Sequence, residues 1–252
     1  MTERAKVSQD WSSRLPDATI RIFTDFDGTV VPEDVGELLF RHYCGDEKFE
    51  DIRQRWDTGA LTAQEAYGQL CRTIPRLTRG DLEEYCASFM IDPAFPRFAE
   101  WCAREGYPLL ILSDGLDQYI DILLSRAGVQ VPFLSNILEL GDASPAMRFP
   151  HADPRCTALG NCKSNHVALR SQDDDLIIYI GDGSSDFEAA QYADLVFARG
   201  SLETWCQEQN ITFRRFYNFT TVRDVLSHLI SQNRLRRRKR AEVLRRQLWA
   251  RG

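Results

Sequence analysis

An α/β fold, with a doubly wound parallel sheet and an inserted helical cap, is predicted by two features of the sequence. Four apolar runs each stop at a polar cluster and are separated by helical patterns; they cover residues 19–24, 108–112, 176–180 and 195–198. Parallel strands buried on both faces give this pattern. About eighty residues separate the first two runs, whereas one crossover connection needs only about a dozen. The alternation therefore predicts a Rossmann-like sheet that carries an insertion.

Helical patterns account for the segments between the strands. Residues 97–105 and 117–127 are amphipathic, and Gly106 and Gly128 stand where helix C-caps are expected. The insertion is also helical in pattern, with predicted helices over residues 35–40, 49–56, 62–74 and 81–90.

The predicted domain organisation follows from these elements. Thr62 and Thr78 are suitable N-caps for two helices of the insertion. We predict a sheet core, a cap over the carboxyl edge of the sheet, where ligands bind in open α/β folds, and a basic helical tail. These parts comprise residues 15–32 with 94–230, residues 33–93, and residues 231–252.

Charge is distributed unevenly along the 252 residues. The net charge is −6, but the tail holds nine basic residues and one acidic residue, so it carries +8 and the rest carries −14. An acidic body argues against nucleic acid as the substrate of the main domain, while a basic tail could contact an acidic partner. The simpler interpretation is a solvated helix, and its predicted docking residues are Leu235, Val243, Leu244, Leu248 and Trp249.

Composition also bears on the cellular compartment. No apolar run approaches the roughly 20 residues needed to cross a bilayer, which excludes membrane transport. The first thirty residues include Glu3, Asp10 and Asp17 and contain no apolar segment typical of a secretory signal. Seven cysteines, an odd number, suit reduced thiols better than a disulfide framework. We therefore expect a cytoplasmic protein without a membrane partner.

Acidic residues follow two of the predicted strands. Asp25-Phe26-Asp27-Gly28-Thr29 comes directly after the first, and Gly181-Asp182-Gly183-Ser184-Ser185-Asp186 follows the third. Either segment alone could be an ordinary turn or surface loop. Together they place carboxylates that repel one another at one edge of the sheet, so the site requires a cation. Mg²⁺, a hard ion with oxygen ligands, fits best.

These segments, with Ser113 and Lys163 between them, resemble the four motifs of the haloacid dehalogenase (HAD) superfamily in order and spacing. A helical cap between the first two motifs is similar to the phosphoserine phosphatase branch. Finer features resemble the methionine-salvage phosphatases, which act on 2-hydroxy-3-keto-5-methylthiopentenyl-1-phosphate; these features are Phe149-Pro150-His151, Cys162-Lys163, Leu195-Val196-Phe197-Ala198-Arg199 and Cys206-Gln207-Glu208-Gln209-Asn210. The phosphoethanolamine/phosphocholine phosphatases are a related group.

The resemblance implies a Mg²⁺-dependent phosphomonoesterase acting on a small phosphorylated metabolite through an aspartyl-phosphate. The alternatives are a phosphoserine or phosphoethanolamine/phosphocholine phosphatase, or a non-catalytic regulatory protein that binds a metabolite. The intact pair of Asp25 and Asp27 disfavours the last of these. Asp25 is then the nucleophile and Asp27 the general acid and base.

The remaining motif residues receive supporting roles. Asp25, Asp182 and the Asp27 carbonyl are expected to bind the metal, and Asp186 to orient Lys163 or a metal-bound water; the expected metal-site residues are therefore Asp25, Asp27, Asp182 and Asp186. Lys163 supplies positive charge to the phosphate and to Asp25. The Ser113 hydroxyl and the Gly115 N–H are expected to donate to phosphoryl oxygens.

Substrate choice is expected to lie in the cap. Asp34 stands at the spacing of a carboxylate that binds the substrate amine in phosphoserine phosphatases. An alignment through Gly59-Ala60-Leu61-Thr62 places Gly68 where these enzymes have a carboxylate-binding arginine, with Arg72 one turn away, which weakens a phosphoserine assignment. His151, Cys156 and Cys162 could hold zinc, but their spacing favours an ordinary loop lining the site; these residues precede Lys163.

Overall fold

The computed structural model describes residues 20–250 and contains a seven-stranded sheet of order β4-β3-β2-β1-β5-β6-β7. All neighbouring strands are parallel except β3 and β4, which are antiparallel. The strands are β1 (Ile20–Thr24), β2 (Leu109–Leu116), β3 (Phe133–Glu139), β4 (Ala146–Arg148), β5 (Leu176–Gly181), β6 (Leu195–Ala198) and β7 (Phe213–Arg215). The predicted fold class is confirmed; the predicted start of the core at residues 15–19 lies outside the described residues.

Eleven helices within residues 20–250 surround this sheet. They are α1 (Val35–Cys44), α2 (Asp46–Asp57), α3 (Ala63–Thr73), α4 (Arg79–Cys86), α5 (Phe95–Glu105), α6 (Asp117–Arg126), α7 (Lys163–Leu169), α8 (Phe187–Gln191), α9 (Gly200–Glu208), α10 (Phe219–Ser231) and α11 (Lys239–Trp249). None of these helices has the length and apolar character that a membrane span requires.

The central strands bury side chains on both faces of the sheet. On β1, Ile22 belongs to the core that α5, α6 and α10 cover, while its neighbour Phe23 belongs to the core that α7, α8 and α9 cover. Successive side chains of a strand point to opposite faces, so two apolar layers require nearly continuous apolar runs. This is why these strands are readily predicted from sequence.

Four helices, α1 to α4, occupy the insertion after β1. Thr62 and Thr78 cap α3 and α4 through capping boxes closed by Glu65 and Asp81, which confirms both predicted N-caps. The apolar side chains of these helices join the core on the α5 face of the sheet. The cap boundaries at residues 33 and 93 remain a prediction.

The basic tail is docked differently from the expectation. Val243, predicted to be a docking residue, is 52% exposed, whereas Arg245 is only 1% exposed and forms an ion pair of 3.3 Å with the buried Asp194. Trp249, also predicted to dock the helix, donates from its indole N–H to the Ala168 carbonyl at 2.7 Å. The prediction was wrong for Val243 because a buried carboxylate draws the arginine inward and so fixes which face of α11 is covered.

Other tail arginines pair with acidic residues of the same chain. Arg237 and Arg246 form ion pairs with Asp174 and Asp173 at 3.3 and 2.8 Å. Part of the positive charge that could attract an acidic partner is therefore neutralised within the molecule. Contact of the tail with such a partner remains a prediction, and residues 251–252 lie outside the described part of the chain.

Candidate active site

The predicted site residues converge at the carboxyl ends of β1, β2 and β5. The order of connections reverses at β1, since the chain leaves it for β2 and β3 on one side and later returns to β5 on the other. Such a switch point opens a crevice for ligands. Here it holds a cavity of about 580 Å³, which Asp25, Asp27 and Lys163 line. A volume of this size suits a small metabolite.

Asp25 is buried, and only one of its two carboxylate oxygens has described polar contacts. Its Oδ1 accepts from the Phe26 N–H at 2.7 Å and lies 2.8 Å from Lys163 Nζ. Among the described contacts, Oδ2 receives no hydrogen bond. Burial and the nearby charge of Asp186 hold the pKa of Asp25 well above its usual range, although Lys163 opposes this shift. Oδ2 is thus the oxygen available to form a bond to a ligand.

Lys163 joins the two acidic motifs. It begins α7, is fully buried, and places Nζ 2.7 Å from Asp186 Oδ1 and 2.8 Å from Ser185 Oγ, in addition to its contact with Asp25. Burial alone would lower the pKa of Lys163, but the charges of Asp186 and Asp25 outweigh burial and raise it. The ammonium group therefore remains charged and fixed beside Asp25.

Asp25, Asp182 and Asp186 form an acidic cluster in which one carboxylate oxygen of each lies within 4.8 Å of the others. Burial and the charge of Asp186 raise the pKa of Asp182 to about 6. Both oxygens of Asp186 are already occupied, Oδ1 by Lys163 and the Tyr179 hydroxyl, Oδ2 by backbone N–H groups. Asp25 and Asp182 are therefore the better candidates for binding a hard cation such as Mg²⁺, while Asp186 positions Lys163.

Gly28 makes room for this cluster. Its φ of +68° is in the region that favours glycine, and a Cβ here would lie 2.3 Å from Asp182 Oδ2. The next residue, Thr29, donates from Oγ1 to Asp182 Oδ1 at 2.7 Å. The Gly-Thr pair of the first motif thus positions the carboxylate of the last motif.

Asp27 lies in the same loop but has different partners. Its Oδ1 accepts from the Val35 N–H at 3.0 Å, and its Oδ2 accepts from the Tyr119 hydroxyl at 2.6 Å and from Ser113 Oγ at 3.3 Å. Burial and the charge of Asp34 raise the pKa of Asp27 to about 7, against the hydrogen bond from Tyr119. A carboxyl group with such a pKa can both donate and accept a proton near neutral pH.

Ser113 and Gly115 are arranged differently from the predicted phosphate-binding role. The Gly115 N–H donates to Ser113 Oγ at 2.9 Å, and Ser113 Oγ in turn donates to Asp27. A Cβ at Gly115 would lie 1.7 Å from the Tyr119 hydroxyl oxygen. In this structure the two residues therefore support Asp27, and their predicted contact with phosphate remains a prediction.

Residues 22–191 match the family of haloacid dehalogenase-like hydrolases. The chain belongs to this family. It is 30% identical to the 2-hydroxy-3-keto-5-methylthiopentenyl-1-phosphate phosphatase of Exiguobacterium sibiricum over 84% of this chain and 96% of that protein. The fold is similar to a phospho-aspartyl intermediate analogue of phosphoserine phosphatase, with a TM-score of 0.61, 15% identity, and coverage of 83% and 98% of the two chains. The fold is also similar to that of a probable phosphoserine phosphatase from Vibrio cholerae. The TM-score is 0.65 and the sequence identity 19%, with coverage of 89% of this chain and 71% of that chain.

In this haloacid dehalogenase-like hydrolase, Asp114 organises the loop that leads to Lys163. Its Oδ1 accepts from the N–H groups of Gly160 and Asn161, both at 2.8 Å, and from Asn136 Nδ2 at 3.1 Å. Burial raises the pKa of Asp114 to about 6. This role is not evident from the sequence, although Asp114 stands between the motif residues Ser113 and Gly115.

The cap of this hydrolase forms hydrogen bonds with the loop that precedes Lys163. Trp56 Nε1 donates to the Ala158 carbonyl at 3.0 Å, and the Ala63 N–H donates to the Thr157 carbonyl at 2.8 Å. Cys156 lines the cavity with its neighbours, while Cys162 is buried just before α7. Residues 155–159, which precede Lys163, therefore line the cavity, as predicted for this loop. The acidic cluster is the one group of three or more metal-type ligands found within residues 20–250, and it does not include this segment.

The two predicted specificity positions differ in location. Asp34 lines the cavity and caps α1, accepting from the Glu37 N–H at 2.8 Å; burial raises its pKa. Arg72 lies instead in a groove on the outside of the cap. The arginine of the cap that lines the cavity is Arg53, whose role was not predicted because in the sequence it resembles an ordinary surface residue of an amphipathic helix.

Tyr119→Phe is expected to reduce kcat about 10-fold or more, which is part of the ~10²–10⁴-fold that a positioned general acid provides. The substitution removes the 2.6 Å hydrogen bond to Asp27 and retains the ring. Steady-state kinetics should show an effect mainly on kcat, with little change in KM. Tyr107→Phe, which alters a tyrosine outside the cavity-lining set, is the matched control. A kcat for Tyr119→Phe within twofold of the parent would show that Val35 and Ser113 suffice to hold Asp27.

Proposed function

We propose that this hydrolase is a Mg²⁺-dependent phosphatase that cleaves a small phosphate monoester through an aspartyl-phosphate, and that its substrate is 2-hydroxy-3-keto-5-methylthiopentenyl-1-phosphate or a close analogue. The observation that carries the chemistry is Asp25, which lines the cavity and whose Oδ2 receives no hydrogen bond among the described contacts, while Lys163 and the Phe26 N–H hold Oδ1. The substrate assignment is supported by the 30% identity to curated phosphatases of that name.

In the first step, Asp25 Oδ2 forms a bond to phosphorus as the bond from phosphorus to the ester oxygen breaks. Asp27 gives its proton to the departing alcohol, and the Tyr119 hydroxyl keeps the carboxyl group in position. In the second step, water loses a proton to Asp27 and attacks the phosphorus of the aspartyl-phosphate, which restores Asp25 and releases inorganic phosphate. Lys163 balances negative charge in both steps.

A divalent cation fits the acidic cluster, because its carboxylate oxygens are hard donors and burial with mutual repulsion raises the pKa values of Asp25 and Asp182. Asp25, Asp182 and the Asp27 carbonyl would hold Mg²⁺. When bound, the ion would reduce the repulsion between the carboxylate and the phosphate dianion. The alternative of a non-catalytic binding protein is disfavoured by the presence of both Asp25 and Asp27 in the cavity lining.

Hydrolysis of p-nitrophenyl phosphate with added Mg²⁺ tests the proposed reaction, and kcat/KM over a panel of phosphorylated metabolites tests the substrate. We expect turnover to disappear with EDTA and return with Mg²⁺, and the methylthiopentenyl phosphate to have the highest kcat/KM. Absence of turnover in a folded, Mg²⁺-loaded sample would contradict the reaction. A higher kcat/KM for an unrelated metabolite would contradict the substrate assignment.

Thr29→Val is expected to raise the Mg²⁺ concentration for half-maximal activity about 10- to 100-fold, the usual effect of removing a partner of a metal ligand. The change deletes the 2.7 Å hydrogen bond from Thr29 Oγ1 to Asp182 but retains the volume of this buried side chain. The measurement is activity titrated against Mg²⁺. Thr29→Ser, which keeps the hydroxyl, is the control, and an unchanged half-maximal concentration in Thr29→Val would contradict a metal-binding role for Asp182.

A further inference from the structure

The cap side of the cavity contains one arginine among the described lining residues, and it is already neutralised. Arg53 Nε lies 2.9 Å from Asp57 Oδ1, and Arg53 Nη1 lies 3.3 Å from Glu37 Oε2. The guanidinium also lies 5.6 Å from the centre of the Trp56 ring. The Arg53 guanidinium, which could otherwise bind an anion on the substrate, is thus already in contact with two carboxylates and an aromatic ring.

The other cations lining the cavity are also paired. Arg155 contacts Asp153 through Nη2 at 2.7 Å and Nε at 3.0 Å, and Lys163 is held between the carboxylates of the acidic cluster. On the cap side, Asp34 adds a third carboxylate beside Glu37 and Asp57. Glu37 and Asp57 are themselves ion-paired, Glu37 with Arg41 as well as with Arg53, whereas no ion pair is described for Asp34. A second anion on a bound phosphate ester would therefore meet the Asp34 carboxylate and no unpaired cation in the described cavity lining.

The cap side also presents apolar surface. Phe40, Trp56 and Tyr67 line the cavity, with the ring centres of Trp56 and Tyr67 5.0 Å apart and those of Phe40 and Tyr67 5.7 Å apart. These rings can pack against an uncharged chain or contact a cationic one through their faces. The surface therefore matches an alcohol without negative charge.

We propose that the cap selects phosphate monoesters whose alcohol carries no second anion, and that Glu37 and Asp57 impose this selection by neutralising Arg53. The inference rests on the proposed function, because it takes the phosphate to lie beside Asp25. It narrows the substrate class to esters of neutral or cationic alcohols with an apolar portion. It also assigns the selectivity between substrates to the ion pairs of Arg53 and Asp57 on α2 with each other and of Arg53 with Glu37 on α1.

Phosphoethanolamine and phosphoserine test the proposal, since they differ by one carboxylate. The parent enzyme is expected to have a kcat/KM about tenfold higher for phosphoethanolamine, because the carboxylate of phosphoserine would meet like charge and no free cation on the cap side. In a Glu37→Gln, Asp57→Asn double variant this ratio should fall about tenfold or more, mainly through a lower KM for phosphoserine. Adding Arg53→Gln to the double variant should abolish that gain.

Asp51→Asn provides the matched control, because it removes a partner of Arg55 on the same helix, and neither residue lines the cavity. Its substrate ratio should equal that of the parent. Equal kcat/KM values for both substrates in the parent, or an unchanged ratio in a folded double variant, would overturn the proposal. If the double variant does not fold, Asp57→Asn alone must lower the ratio. Failure to hydrolyse even p-nitrophenyl phosphate would instead contradict the proposed function.

Discussion

Asp25→Asn is expected to lower kcat for p-nitrophenyl phosphate by at least about 10³-fold, since loss of a nucleophile removes the step on which the other groups act. The amide oxygen can still accept from the Phe26 N–H and Lys163, so the fold of the loop should be retained. It cannot form the aspartyl-phosphate. The variant should therefore fold and bind substrate without turnover, with weaker Mg²⁺ binding because one carboxylate ligand of the acidic cluster is lost.

Two measurements make this result specific. Quenching the reaction and digesting the protein should recover a phosphorylated peptide containing Asp25 from the parent, but not from Asp25→Asn. Asp27→Asn is the matched control, because it is expected to slow both chemical steps while leaving the nucleophile in place. Recovery of the phosphoryl group on another residue, or a kcat for Asp25→Asn within tenfold of the parent, would contradict Asp25 as the nucleophile.

Arg245→Met is expected to reduce the free energy of unfolding by about 3–5 kcal/mol, because removing one partner of a buried ion pair leaves an uncompensated charge. Asp194 is 3% exposed, and its remaining described partners are the N–H groups of Ile177 and Arg238. Urea denaturation followed by circular dichroism measures the change. Truncation at Ser231 also removes Arg245, so it too is expected to destabilise the protein.

Arg246→Met is the control for this prediction. Arg246 is the neighbouring residue on α11, and its side chain is 55% exposed where it pairs with Asp173 and Glu242. Exposed ion pairs contribute little to stability, so its denaturation midpoint should stay close to that of the parent. Equal effects of the two substitutions would show that burial of Arg245 is not important. An Asp194→Leu, Arg245→Met double variant should recover part of the lost stability.

The fold was predictable where one physical cause dominates the local pattern. Strands buried on both faces must be apolar throughout, and β1, β2, β5 and β6 were found from that feature. β3 was missed because Ser135 and Asn136 interrupt its apolar residues; both are buried and hydrogen-bonded within the sheet region. Edge strands β4 and β7 have only three residues each, too few for a pattern to emerge.

The sequence predicts the part of the site that is formed by motif residues at the ends of strands. Parallel strands bring their carboxyl ends to one edge, which places Asp25 near Asp182 without further information. Tyr119 and Arg53 were missed because a tyrosine and an arginine on amphipathic helices have ordinary structural roles in most proteins. Their roles depend on which groups the tertiary fold sets opposite them, namely Asp27 for Tyr119 and Glu37 for Arg53.

The contact between Asp25 and Lys163 has a consequence for assays of refolding. The two residues are more than a hundred positions apart, and β1 and α7 must both be in place before the ammonium reaches the carboxylate. A fragment ending before Lys163 would lack this charge pair even if its helices formed. Regained catalytic rate after dilution from denaturant thus reports assembly of the complete topology, and we expect it to lag behind recovery of helical ellipticity.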